Sequence, residues 1–220
     1  MREAKSIDLF LLVLLGLIWG SSFFNIKIAT YSYEPITLAL VRVVFASIPL
    51  FMLCKYKKIK IKGFTKNWKP YALIGLCNIS IPFILIAIGT GKINSYLAAM
   101  LMSTTPLSGS LLAHFFTKDE KISFLKSVGI LIGFFGILIL FFDKLIINES
   151  NYLFVLLIIL GSTFYSISGI LILKKLKKSG NINVTTSTLI WSLITLLPLA
   201  FILEEPFKST PTLNSTLSLI

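Results

Sequence analysis

With 220 residues the chain is long enough for one soluble domain, but it is 55% hydrophobic and only 14% charged, too little polar surface to coat a globule in water. The mean hydropathy of +0.89 comes from long apolar blocks rather than from amphipathic periodicity. The formal charge of +12 would point to nucleic acid if it were clustered on a soluble surface, but the lysines lie between the apolar blocks, where they set topology and meet anionic headgroups. The partner implied is the lipid bilayer, with no nucleic acid.

Runs of about 20 apolar residues, enough to cross about 30 Å of hydrocarbon, are read at 9–29, 35–54, 70–89, 95–117, 122–142, 152–173 and 185–203. They predict an all-α, polytopic membrane helix bundle of about seven transmembrane helices. The first run follows a basic lead of Arg2 and Lys5 but exceeds a signal-peptide core and has no small-residue cleavage site, so it is expected to stay. It carries Trp19, Ser22 and Asn25 at spacings of three, a polar and aromatic stripe that either contacts substrate or packs in the core. Gly16 and Gly20 form a GxxxG expected to pack closely, and Lys27, near the outer end, is expected to snorkel.

The second run holds Arg42, seven residues or roughly 10 Å inside its start at Pro35. A charge at that depth is costly, which makes it a functional candidate. Either it orients an anionic or carboxylate-bearing substrate by forked hydrogen bonds, or it ties helices together through carbonyls and hydroxyls. The third run has Asn78 and Pro82, four apart. In the fourth, Ser103, Ser110 and His114 fall on one helical face with Pro106 between them; either this stripe lines an aqueous cavity, with Pro106 freeing the carbonyl of Met102 for a ligand, or its hydroxyls bond to their own backbone. Thr104 and Thr105 are expected to bond locally, and His114 either sits at the interface or titrates. Gly129, Gly133 and Gly136 in the fifth run read as another close-packing face.

No carboxylate lies inside any run, because Asp8, Glu34, Asp143 and Glu204 sit at the ends, so a carboxylate proton relay is not evident. The two cysteines, Cys54 and Cys77, lack CxxC spacing, and there is one histidine, with no P-loop, GxGxxG or HExxH. No disulfide, metal site, cofactor or enzymatic activity is expected.

Assigning the connecting segments alternately to two sides puts Arg2, Lys5, the seven lysines of KYKKIKIKGFTKNWK at 55–69, Lys118, Lys121, Lys126, Lys174, Lys175, Lys177 and Lys178 on one side. The other side receives Lys92, Lys144 and Lys208. This asymmetry predicts a cytoplasmic amino terminus in the cytoplasmic membrane, and an odd number of crossings puts Ile220 outside. WGSSFF at 19–24 is echoed by LGSTFY at 160–165, an offset of 141, and IPLFML at 48–53 by LPLAFI at 197–202, an offset of 149. Helices six and seven replaying one and two, five helices later, imply an inverted second copy.

The WGSSF segment at 19–23, the Pro35-x6-Arg42 segment, and the run SYLAAMLMSTTPLSGSLLAHFF at 95–116, continuing through DE at 119–120 to GILIGFFGILIL at 129–140, together resemble the EamA-type transporters of the drug/metabolite transporter superfamily. The resemblance implies one complete five-helix repeat over 9–142 and a partial second repeat over 152–220, with its first two helices and the start of the next. It further implies a central cavity for small organic metabolites, such as amino acids or related compounds, and secondary transport by alternating access. The residues expected to bind substrate are Trp19, Ser22, Asn25, Arg42, Asn78, Ser103, Pro106 and Ser110. LNSTLSLI, ending at Ile220, reads as the approach to an eighth helix, so three helices of the second repeat would be missing. The alternative is therefore a truncated, transport-inactive membrane protein, or a half-transporter completed by a second copy or a partner chain.

Overall fold

Proline and glycine punctuation, set against apolar runs, divides the chain into helices in a computed structural model that describes residues 6–65, 67–117, 121–141, 151–206 and 211–219. Arg2, Lys5, Lys66, Lys118, Asp119, Glu120, Asp143, Lys144, Asn148–Ser150 and Lys208 lie outside the described residues. Helix α1 spans Ser6–Ala29 and α2 spans Pro35–Tyr56, with Pro35 in its first turn, where the missing N–H costs nothing. Helix α3 runs from Lys69 to Lys92 through a π-helical turn at Leu76–Ser80. Pro82 follows that turn and has no N–H to give the carbonyl of Asn78, so the wider turn accommodates it without ending the helix.

Helix α4 departs from the expected continuous span over 95–117. It is two pieces, Ser95–Met102 and Thr105–Phe116, because Pro106 cannot donate to the carbonyl of Met102. Thr105 Oγ1 takes over the freed Met102 carbonyl at 2.6 Å, while Ser103 and Thr104 add hydroxyl bonds, both at 2.5 Å, to the Met100 and Leu101 carbonyls, which also accept backbone N–H groups in the last turn. Helix α5 spans Phe124–Phe141, α6 Tyr152–Lys175, α7 Asn181–Leu203 and the short α8 Leu213–Leu217. Five of these, α1, α2, α3, α6 and α7, are long and apolar enough to cross a membrane. No strand occurs among the described residues.

The core is built from α2, α3, α6 and α7. Helices α2 and α7 are antiparallel: Thr37 near the start of α2 meets Glu204 just past α7, and Cys54 near the end of α2 meets Thr186 near the start of α7. Ala39, Leu40, Val43, Ile79, Leu189, Leu196 and Ala200 pack between them. Small residues allow close approach elsewhere, since Gly89 lies against Ile158 and Gly161 against Ile86. In contrast, a Cβ on Gly16, Gly20, Gly129, Gly133 or Gly136 would meet no described atom within 4 Å. The GxxxG pairs picked from the sequence are therefore not the packing faces among the described residues. Many large apolar side chains, including Phe10, Leu12, Phe124 and Ile132, are exposed, a surface suited to hydrocarbon rather than water.

Candidate substrate site around Arg42

Arg42 is the one basic residue inside α2 away from its ends, and it is half-buried. Its Nη2 donates to Ser22 Oγ of α1 at 3.4 Å, and the guanidinium carbon lies 4.6 Å from the ring centroid of Phe83 on α3. Tyr165 of α6 is within electrostatic reach of the same charge. The guanidinium thus gathers α1, α3 and α6 around α2. Among the described residues it has no carboxylate partner, so donors remain for an anion that would offset the cost of burying the charge.

Asn78 sits in the π-helical turn of α3, with its side-chain amide 2.7 Å from the hydroxyl of Ser168 of α6, which lies equally close to the carbonyl of Tyr165, so the single Ser168 proton is shared between these two neighbours. Asn25 lies half-buried one turn beyond Ser22, whereas Trp19, one turn before it, is 70% exposed in a stretch of α1 with no buried residue. Ser22 is thus joined to Arg42 by a bond, and Trp19 stands outside the packed part of the helix.

The polar face expected on the fourth helix is not a single face. The break after Met102 separates Ser103 from Ser110: Ser103 is exposed and turned back on its own helix, and Pro106 is exposed. The carbonyl of Met102 is not free for a ligand, because Thr105 already donates to it. Ser110 lines a separate cavity of about 210 Å³ with Ala113, Ile122, Lys126 and Ile130. His114 closes the neighbouring turn, its Nδ1 accepting the Ile122 amide at 3.0 Å, which fixes the proton on Nε2. Thr104 and Thr105 bond locally as expected and also reach Ser162 of α6 at 3.1 and 3.0 Å, while Ser108 meets Ser166 at 2.8 Å. These hydroxyls hold α4 to α6.

Lys27 does not snorkel. Its Nζ donates to the carbonyls of Thr90, Gly91 and Ile93 at 2.9–3.0 Å, the acceptors left over at the end of α3. Phe83, Tyr165 and Ser168 were not singled out by spacing. Tyr165 had one signal, as the last residue of the LGSTFY echo.

Residues 6–142, which contain Ser22, Arg42, Asn78 and Phe83, match the model of the EamA-like transporter family. The chain belongs to the EamA-like transporter family. It is 28% identical over 208 residues to an uncharacterized transporter in the trpA 3′ region of Buchnera aphidicola subsp. Schlechtendalia chinensis, covering 92% of this chain and 66% of that relative. An uncharacterized transporter of Buchnera aphidicola subsp. Schizaphis graminum is 29% identical over 212 residues, 96% of this chain and 68% of the relative. The uncharacterized inner membrane transporter YedA of Escherichia coli K12 is 34% identical over 152 residues, 64% of this chain and 45% of YedA. This EamA-like chain spans about two thirds of the length of the two Buchnera relatives. Those two alignments are long enough to reach beyond residue 142 into α6 and α7, so the similarity includes the helix that carries Tyr165 and Ser168.

Proposed function

We propose that this chain carries the substrate site of a secondary transporter for small organic metabolites bearing a carboxylate or another anionic group, such as amino acids or related compounds. The observation that carries this reading is Arg42: an intramembrane guanidinium with a hydroxyl and an aromatic face beside it and no carboxylate partner among the described residues. Ser22, Asn25 and Asn78 supply neighbouring polar groups, whereas Trp19, Ser103, Pro106 and Ser110 stand apart from this group. No catalytic step and no cofactor enters this scheme.

The alternating-access mechanism rests on inverted repeats over 9–142 and 152–220, seven crossings in all, with the amino terminus in the cytoplasm and the chain in the cytoplasmic membrane. Two contacts support the repeat. Adding the offset of 149 carries Thr37 to Thr186 and Lys55 to Glu204, so the Thr37–Glu204 contact maps within one residue onto the Thr186–Cys54 contact at the other end of the same helix pair. A self-complementary pairing of this kind is what a two-fold between inverted copies produces.

A second reading, a unit inactive until further helices from a second copy or partner chain cover it, is favoured by the unburied stretch of α1 from Ser6 to Gly20. Uptake of labelled amino and carboxylic acids into vesicles separates the two, using this chain beside the same chain joined to the part of a Buchnera relative that it does not match. Uptake by the 220-residue chain alone supports the first reading. Uptake by the joined chain alone supports the second, and failure of both forms on every anionic substrate overturns the assignment.

A further inference from the structure

A polar cavity lies at the lysine-rich end of the bundle, away from Arg42. It has a volume of about 370 Å³, within the range of small-molecule sites. Lys62, Lys69 and Lys175 line it with Thr65, Asn67 and Ser179, and among the described residues no acidic side chain does. Three cations are therefore brought to one hollow by three separate parts of the chain: the 57–68 connection, the start of α3 and the end of α6.

The hollow is built rather than incidental. The amide of Lys62 donates to Asn183 Oδ1 at 2.8 Å, and the carbonyl of Gly63 accepts from Trp191 Nε1 at 2.9 Å. A Cβ on Gly63 would come within 2.7 Å of Ser187 Cβ, so the connection lies directly on α7. Trp68 and Phe64 stack on Trp191, with centroids 4.9 and 5.7 Å apart. Beneath, the buried Tyr71 hydroxyl donates to Ser179 Oγ and accepts from Asn183 Nδ2, both at 3.3 Å. A connecting loop that only kept charge on one side of a membrane would need none of these pins.

We propose that this cavity binds a phosphate-bearing anion, either the headgroup of an anionic phospholipid or a free organic phosphate. Lysine ammonium groups with no carboxylate among the described lining residues, joined by hydroxyl and amide donors, match the charge and acceptors of a phosphate. Indole rings at the same edge suit the headgroup level of a bilayer. The bound group ties the 57–68 connection to α3 and α6, elements that must move apart if the bundle rocks.

The test uses the full chain in neutral detergent with Trp19→Phe, leaving Trp68 and Trp191 as fluorescence reporters beside the cavity. It is titrated with short-chain phosphatidylglycerol, with short-chain phosphatidylcholine, and with glycerol 3-phosphate. Saturable quenching by phosphatidylglycerol but not phosphatidylcholine identifies a lipid headgroup, and saturation by glycerol 3-phosphate alone identifies a soluble phosphate. In either case K62Q/K69Q/K175Q weakens binding on the order of a hundredfold, about fivefold per lysine. The equally charge-reduced K57Q/K60Q/K178Q, at exposed lysines outside the cavity, leaves most of it. Equal loss in both triple variants, or no saturable anion binding by the parent protein, overturns the proposal. Native mass spectrometry of the unmodified chain from mixed micelles decides the lipid case without any variant: preferential retention of one phosphatidylglycerol supports it, and equal retention of both lipids overturns it.

Discussion

Glu204 holds the first turn of α2 through Thr37: its Oε2 accepts both the Thr37 amide at 2.7 Å and the Thr37 hydroxyl at 2.8 Å, while Oε1 accepts the Ile36 amide at 2.8 Å. Glu34, at the N-cap itself, makes no side-chain cap bond. A carboxylate from 167 residues away therefore serves as the cap, where the helix dipole favours negative charge. Glu204→Ala should lower stability by about 1–3 kcal/mol, and Glu204→Gln by less, because one amide oxygen can still accept. Thermal unfolding in detergent measures both, and an unchanged midpoint for Glu204→Ala would refute the cap.

Lys27 satisfies three carbonyls at the end of α3 that no helical N–H can reach. Lys27→Met should cost about 1–3 kcal/mol and speed amide exchange around Thr90–Ile93. Lys92→Gln, at an exposed lysine on the same turn, should change neither. If Lys27→Met and Lys92→Gln behave alike, the ammonium is solvated rather than bonded.

For Arg42, charge and shape can be separated. Lysine keeps the charge but loses the fork and the flat contact with Phe83. In a transport-competent form, Arg42→Lys should reduce uptake of an anionic substrate on the order of tenfold and Arg42→Ala on the order of a hundredfold. The test is a comparison of initial rates into vesicles at equal protein content. Uptake of every anionic candidate unchanged in Arg42→Ala would leave the residue a purely structural tie.

Close packing makes a contrasting pair of glycines. A Cβ on Gly75 would lie 2.8 Å from the backbone oxygen of Thr188 and 3.2 Å from Trp191 Cβ, so α3 and α7 would have to separate. Gly75→Ala should destabilise by about 1–3 kcal/mol. At Gly16 nothing lies within 4 Å, and Gly16→Ala should be neutral or stabilise slightly through helix propensity. Unfolding midpoints of the two variants should therefore move in different directions or by clearly different amounts.

The membrane class, the helix limits to within a few residues, and the family were all legible in the residues themselves. Hydrocarbon accepts only apolar stretches with internally bonded backbone, and that constraint writes itself as length and composition. Arg42 stood out for the same reason, as a charge where charge is expensive. What surrounds it did not. The apolar residues of α1 and α6 are spread over all sides of each helix, so their periodicity does not say which side meets a neighbour. Only the tertiary structure set Phe83 against the guanidinium and brought the helix of Tyr165 near it, gave Lys27 to the end of α3, and chose Gly75, Gly89 and Gly161 rather than the GxxxG pairs for close contact. It also decided that Pro106 would split α4, with the Thr105 hydroxyl covering the Met102 carbonyl so released. These choices depend on the rotation and partner of each helix, which are set by packing across the bundle rather than along the chain.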